Sequence, residues 1–219
     1  MVRLALAALE AATAWVLTAP AYAAAAPEPL ELVRRAIEAD ELRSSDPAFA
    51  YKFMEHFSAR DLTKDGQVRA TRSRTRPMPM TDFVRRRERF RKPLREIPDA
   101  FVFSHAGEDA VYSRPCYIVE ASPKPGYEPV DRYSKLFTQV KGRLWIDKQT
   151  GRWTRLEAEL LDTVTFGWIL VRIHEGARVR MSQRLVDGEA WLPAELWYRV
   201  TVRIGLVSRV VEPEQLLET

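Results

Sequence analysis

Glu157 and Glu159 stand one residue apart in an alternating stretch from Trp153 to Leu160. In an extended chain, residues two apart share a face. The two carboxylates would therefore sit side by side, and such a pair can divide acid and base roles if its surroundings drive the two pKa values apart. Arg143 and Arg155 in the adjoining segments favour the plainer meaning, a wet exterior face on which carboxylates are balanced by guanidiniums. The three histidines, His56, His105 and His174, fall at no metal-ligand spacing. There is no His-Glu-x-x-His, paired-cysteine motif or Asp-rich loop, so no metal or other cofactor is expected. A Gly-x-Ser-x-Gly elbow, a phosphate-cradling glycine loop and a dinucleotide fingerprint are also missing. Cys116 is the only cysteine and lies in an apolar run, Cys116-Tyr117-Ile118-Val119. It reads as a buried thiol that can form no internal disulfide. The residues that could do chemistry thus argue for a binder rather than an enzyme.

What the chain does supply is a sheet. Arg143-Leu144-Trp145-Ile146-Asp147 alternates, Lys148-Gln149-Thr150-Gly151 turns, and Trp153 to Leu160 alternates again. Ala177 to Met181 and Leu196 to Ile204 repeat the pattern. Period-two alternation means antiparallel strands with one face out of water and one in it. A three-residue loop within the Lys148–Gly151 turn would put Leu144 and Ile146 on the face of Thr154 and Leu156. Arg143, Trp145 and Asp147 would then share the other face with Trp153, Arg155 and Glu157, with Gly151 taking the positive φ.

Around this sheet the sequence predicts further elements. Leu30, Val33 and Ile37 form a helical stripe, giving a helix from about Pro29 to Leu42. Phe49 to Ala59 and Gln67 to Arg76 read as two strands joined at Thr63-Lys64-Asp65-Gly66, after which Pro77 and Pro79 break the chain. Thr81 to Arg95, with Arg85, Arg86, Arg87, Arg89, Arg91 and Lys92, is either a solvated helix or a basic lid that touches anionic headgroups or an acidic partner. From Ile97 the character changes: Phe101, Phe103 and His105 alternate with Val102 and Ser104, and Arg114 to Ala121 is a further strand. The apolar interruption from Asp162 to Ile173 suits a short amphipathic helix carrying Phe166, Ile169, Leu170 and Ile173 and ended by Gly176. Such a helix would be a core plug or a flap. Five of the six tryptophans, Trp145, Trp153, Trp168, Trp191 and Trp197, fall in this β region.

The chain has 219 residues, 46% of them apolar, and a net charge of +4. That excludes a disordered protein and is too weakly basic to indicate nucleic acid. Residues 1–23 resemble an export signal: Arg3, an apolar run from Leu4 to Leu17, and Ala21-Tyr22-Ala23 before the expected cleavage point. If uncleaved, this segment would instead be an inner-membrane anchor. With no cysteine near it, the chain is not itself a lipoprotein. Residues 24–219 are expected to form one mature periplasmic domain.

Several segments together resemble bacterial outer-membrane lipoprotein-sorting proteins of the LolA/LolB-like superfamily, in their acidobacterial-type subgroup. They are Gly142 to Lys148, Arg152-Trp153, Glu157-Ala158-Glu159, Asp162 to Gly167, and Val186-Asp187-Gly188-Glu189-Ala190-Trp191-Leu192-Pro193. Arg114 to Ala121, Pro123 to Tyr127 and Leu94 to Phe101 fit the same pattern, so the resemblance covers about Leu94 to Val211. It implies an α+β, mainly antiparallel fold, an unclosed half β-barrel with helices over its concave face, and a non-enzymatic carrier or sensor of lipid or lipoprotein acyl chains. The candidate apolar face holds Leu144, Ile146, Leu156, Leu160, Val179, Met181, Tyr198, Val200 and Val202, with Phe166, Ile169, Leu170 and Ile173 as its cover. An envelope protein or an anionic membrane surface is a possible further partner, and a monomer is expected. The rival reading is a periplasmic regulator of the same fold that docks a protein and holds no lipid.

Overall fold

The computed structural model describes residues 26–40, 46–63, 65–79, 81–82, 85, 91–131, 134–166, 171–204 and 207–218. Helix α1 (Pro29–Ala39) opens with proline at its first position, where a missing N–H costs nothing. It buries Leu32, Val33 and Ala36. Ile37 packs beside them, whereas Leu30, expected on the buried stripe, is exposed. A 3-10 turn over Pro47–Ala50 is capped by the Asp46 carboxylate, which accepts from the Ala48 N–H at 2.9 Å. Strands β1 (Lys52–Leu62) and β2 (Val68–Pro79) follow as a hairpin. Helix α2 (Arg91–Ala100) leads into β3 (Phe101–Val111) and β4 (Arg114–Pro123). A second 3-10 turn, Ser134–Gln139, precedes β5 (Val140–Asp147) and β6 (Trp153–Leu160). The chain ends with β7 (Val164–Phe166), β8 (Val171–Ile173), β9 (Arg178–Val186), β10 (Ala190–Ile204) and β11 (Val207–Glu218).

These strands form one antiparallel sheet in the order β2-β1-β11-β10-β9-β6-β5-β4-β3, with β8 pairing the far end of β10 and β7 pairing β8. The two outermost strands, β2 and β3, do not pair with each other. The fold is therefore an α+β, mainly antiparallel, unclosed half-barrel, as expected from the sequence.

Four expectations need correction. Pro77 and Pro79 do not end β2, because β2 is an edge strand and a proline there leaves no partner on the outer side unpaired. The helix expected to end at Arg95 continues to Ala100, and the strand follows directly at Phe101. The interruption after Asp162 is not a helix at its described ends: Val164 to Phe166 and Val171 to Ile173 are paired strands, and Val202 takes Ile173 as its register partner. Branched Val164, Val171 and Ile173 suit such pairing. Ile169 and Leu170 lie outside the described residues, as do Arg86, Arg87 and Arg89 of the basic run. Finally, the β5–β6 turn closes on Asp147 and Arg152 around four residues. A bulge at Thr154 then restores the anticipated pairing, so Trp145 faces Arg155, Leu144 faces Leu156 and Arg143 faces Glu157. The bulge exchanges the places of two side chains: Trp153 pairs with Ile146, and Thr154 turns to the opposite face. Gly151 has the expected positive φ, 70°.

On one face α1 lies across β4 and β5, where Val119 and Ile146 are fully buried with Phe103, Tyr117, Leu144 and Trp153 around them. On the other, the tip of the β3–β4 hairpin closes a smaller core of Val111, Cys116 and Trp145. Tyr112 and Ser113 both take positive φ in that tip. The Tyr112 hydroxyl meets Ser182 Oγ at 2.9 Å, which helps hold the turn in place.

Gly142 is fixed by contact rather than by φ. A Cβ there would lie 2.9 Å from the Glu157 carbonyl oxygen. Gly142→Ala is expected to destabilise the fold by about 1–3 kcal/mol through forced backbone movement. Urea unfolding should show a lower midpoint with an unchanged slope, whereas Gly151→Ala, where a Cβ would meet nothing within 4 Å, should lose stability through φ strain alone.

Candidate functional site

The nine sheet residues proposed from the sequence fall on one face through the observed register. Leu144, Leu156, Met181 and Leu196 are successive partners across β5, β6, β9 and β10. Ala158, Val179 and Tyr198 make the next row, Val140 and Leu160 the one beyond, and Ile146 lies between Tyr117 and Trp153. Val200 and Val202 extend the β10 side. Leu196, Trp153 and Val140 share this face and were not in the sequence-derived set. Trp153 was missed because a bulge leaves no mark in a two-residue pattern.

Cover is uneven along the row. Ile146 is fully buried beneath α1, and Leu160 is 5% exposed. Leu144, Leu156, Val179, Tyr198, Val200 and Val202 are half-buried, and Met181 is 37% exposed. Burial raises the Tyr198 hydroxyl above its ordinary pKa, as an apolar setting should. Of the proposed cover, Ile173 is half-buried at the end of β8 and Phe166 lies at the end of β7.

The opposite face carries the charges. Glu120, Arg143, Glu157 and Arg180 are register partners across β4, β5, β6 and β9, and so are Lys141, Glu159 and Arg178. Arg143 reaches Glu120 at 2.6 Å and Arg180 reaches Glu157 at 3.0 Å, all four part-exposed. Glu159 is bound by Arg178 at 3.2 Å and Lys141 at 3.4 Å. Those two cations, Arg178 foremost, lower its pKa. A carboxylate held ionised in this way has moved in the wrong direction for a general acid. Trp197 lies beneath Arg180, with the guanidinium 5.9 Å from the ring centroid.

The histidines are dispersed. His56 Nδ1 is 3.1 Å from Thr75 Oγ1 and His105 Nε2 is 2.7 Å from the Pro27 carbonyl, while His174 follows β8. Among the described residues no group of three His, Cys, Asp or Glu side chains could hold a metal ion. Cys116 is fully buried, and burial pushes its thiol up. That is the setting of an unreactive thiol.

One charged cluster is deeply built. Asp147, at the end of β5, is 1% exposed. It accepts from Arg114 Nε at 2.7 Å and Nη2 at 3.0 Å, and from the Thr150 N–H and hydroxyl at 2.7 and 2.8 Å. Arg114 also lies 5.6 Å from the Trp191 ring centroid. Burial alone would raise the Asp147 pKa, but the Arg114 and Thr150 bonds outweigh it and the net shift is downward. The cluster locks the β5–β6 turn to β4.

No family model matches the chain, and no curated protein matches it. Among solved structures it is similar to a DUF1329 family protein from Desulfovibrio piger, at 14% identity and a TM-score of 0.38, covering 87% of this chain and 90% of that one. A LolA superfamily protein from Nitrosomonas europaea is similar at 10% identity and a TM-score of 0.35, covering 87% and 92%. An outer membrane lipoprotein-sorting protein domain from Vibrio parahaemolyticus follows at 9% and 0.34, covering 87% and 91%. The likeness is one of general outline. Function has to be read from the chain's own residues.

Because the folded Asp147 titrates lower than it would unfolded, its stabilisation is complete above the ordinary carboxylate range. It is lost as pH falls through the folded value. Wild-type melting temperature should therefore drop in acid, and Asp147→Asn should flatten that part of the profile. Asp147→Ala, which leaves Arg114 without its carboxylate, should cost about 3–5 kcal/mol at neutral pH in chemical unfolding.

Proposed function

We propose that this protein is a non-enzymatic carrier or sensor that binds acyl chains of lipids or lipoproteins on its apolar sheet face. In this reading residues 1–23 direct export, residues 24–219 form the working domain, and the protein acts in the periplasm. The observation that carries the proposal is the row Leu144–Leu156–Met181–Leu196, fully apolar in register, whose cover thins from α1 outward until Met181 is 37% exposed. A face built only as a core would be expected to bury its central strands best. Here β9 lies mid-sheet and carries the most exposed member of the row.

Burying an acyl chain gains about 0.8 kcal/mol per methylene, so a single chain laid along the row has enough driving force to be retained. No described helix is long and apolar enough to cross a membrane. The acyl chains in this reading are ligand, and the face is their site.

Native mass spectrometry of protein purified from envelope fractions should show co-purifying lipid. Met181→Glu should abolish retention while melting within a few degrees of wild type, since that side chain already meets water. Ile146→Glu should unfold the domain, because an unpaired buried carboxylate costs several kcal/mol. A clean apo mass, with no binding of a fluorescent fatty acid by wild-type protein, would overturn the proposal and leave the protein-docking module as the reading.

A further inference from the structure

The face that bears the apolar row does not stay apolar. Followed in register beyond Leu196, the row continues through Gln215 on β11 and Phe57 on β1 to Arg74 on β2. The adjacent row ends Pro213, Ala59, Arg72, and the next brings Glu55 opposite Arg76. Strand β2 therefore sets Arg72, Arg74 and Arg76 on the apolar face, and its sequence from Val68 to Pro79 contains no acid. Every residue from Val68 to Thr75 is exposed.

The three guanidiniums are not equivalent. Arg72 is held by Asp61 at 3.0 Å. Arg76 is held by Glu55 at 2.5 Å, and Glu55, 1% exposed, also accepts from Gln215 Nε2 at 2.6 Å. Arg74 lies between them with its guanidinium 5.0 Å from the Phe57 ring centroid, and it forms no ion pair among the described residues. A cation over an aromatic ring keeps its donors free for an anion. On the opposite face Lys141, Arg143, Arg178 and Arg180 meet carboxylates in register, while Arg155 lies over the Trp145 ring. Arg74 thus sits, without an ion pair among the described residues, where the apolar row ends.

We propose that the face takes an amphiphile with an anionic head, its carboxylate or phosphate oxygens at Arg74 and its chain running over Phe57 and Gln215 to Leu196, towards Met181. This rests on the acyl-chain reading and narrows it to a class of ligand. The four strand spacings from Arg74 to Met181 span about 19 Å along the sheet. An acyl chain occupies about 15 Å, half the hydrocarbon thickness of a bilayer. A chain anchored at Arg74 therefore reaches Leu196, three strand spacings or about 14 Å away, and points towards the exposed Met181.

The test compares four probes of one chain length on the full protein: palmitate, hexadecyl phosphate, hexadecanol and hexadecylamine, titrated by tryptophan fluorescence. Both anions should bind wild type about tenfold more tightly than the alcohol, and the amine more weakly than either anion. Arg74→Gln should bring the anions down to the alcohol and leave the alcohol unchanged. Raising salt should do the same in part, by screening. Arg180→Gln, the same charge change on the opposite face, should alter nothing. Palmitate bound more tightly than hexadecyl phosphate would assign the head as a carboxylate, and the reverse order a phosphate. Equal binding of all four probes, or anion binding indifferent to Arg74→Gln, would overturn the anionic head while leaving the acyl site standing. No binding of any probe to wild type would overturn both.

Discussion

Everything in this fold depends on strands keeping their parity. Side chains alternate faces with a period of two, so a slip of one residue anywhere in the sheet would send an apolar row into water and a charged row inward. The register shows how this is kept. Leu144, Leu156, Met181 and Leu196 meet across four strands, while Glu120, Arg143, Glu157 and Arg180 meet on the reverse. Where turn length and parity conflict, the chain inserts a residue. The four-residue turn after Asp147 would misalign β6, and the bulge at Thr154 corrects it. Thr154 is not wasted by its position: its hydroxyl donates to the Trp145 carbonyl at 3.2 Å and lies 3.4 Å from the Cys116 sulfur. A similar shift between Pro193 and Glu195 lets the long β10 follow β9.

The two faces are stabilised by different physics. Helix α1 removes Val119 and Ile146 from water, and this burial supplies energy. The ladder of part-exposed ion pairs contributes little to stability, since exposed pairs are worth about 0–1 kcal/mol each. Its contribution is to alignment. Sliding β6 by two residues in one direction would place Arg155 opposite Arg143, a like-charge pair that a sheet disfavours, and Leu144 opposite Thr154. The apolar pattern excludes odd slips, and the charge pattern adds a penalty to that even one. Asp147 and Arg114 then tie the end of β5 to β4, so the turn that sets the β6 register is itself held.

This division explains what was legible beforehand. Strands β4, β5, β6, β9 and β10 were readable because one face is wet and the other dry, which writes a clear two-residue period. The α1 helix was readable from Val33 and Ile37, although the stripe was misjudged at Leu30, because a short helix lying across a sheet can rotate by one position at little cost. The β2 extension through Pro77 and Pro79 was not readable, since local sequence does not reveal whether a strand lies at an edge. The segment after Asp162 failed for a related reason. A short apolar run fits either period, and its pairing with β10 is a long-range fact. The nine predicted sheet positions share one face in the observed register, but Trp153, Leu196 and Val140 beside them, and the extent of the face, were not legible. Arg74 is forty residues or more from the chain's apolar strands, and only the register of β11 and β1 brings it into the same row.

The open edges are what remain to be accounted for. A closed barrel would have no exposed edges, but a barrel of few strands fills its interior with side chains. Leaving β2 and β3 unpaired keeps one face approachable, and it also exposes two rows of free backbone groups of the kind that recruit other chains. The two edges are guarded differently. On β3 the shift between His105 and Gly107 breaks the ladder, and Glu108 and Asp109 follow it. On β2 the guard is Arg69, Arg72, Arg74 and Arg76 with Pro77 and Pro79 at the end. Edge protection needs charge on the strand but does not need it on a particular face. Three of the four arginines of β2 nevertheless alternate onto the apolar side, two of them neutralised by β1 carboxylates and the third left over an aromatic ring. An edge built only to repel would gain nothing from that neutralisation, which leaves Arg74 available at the margin of the apolar row.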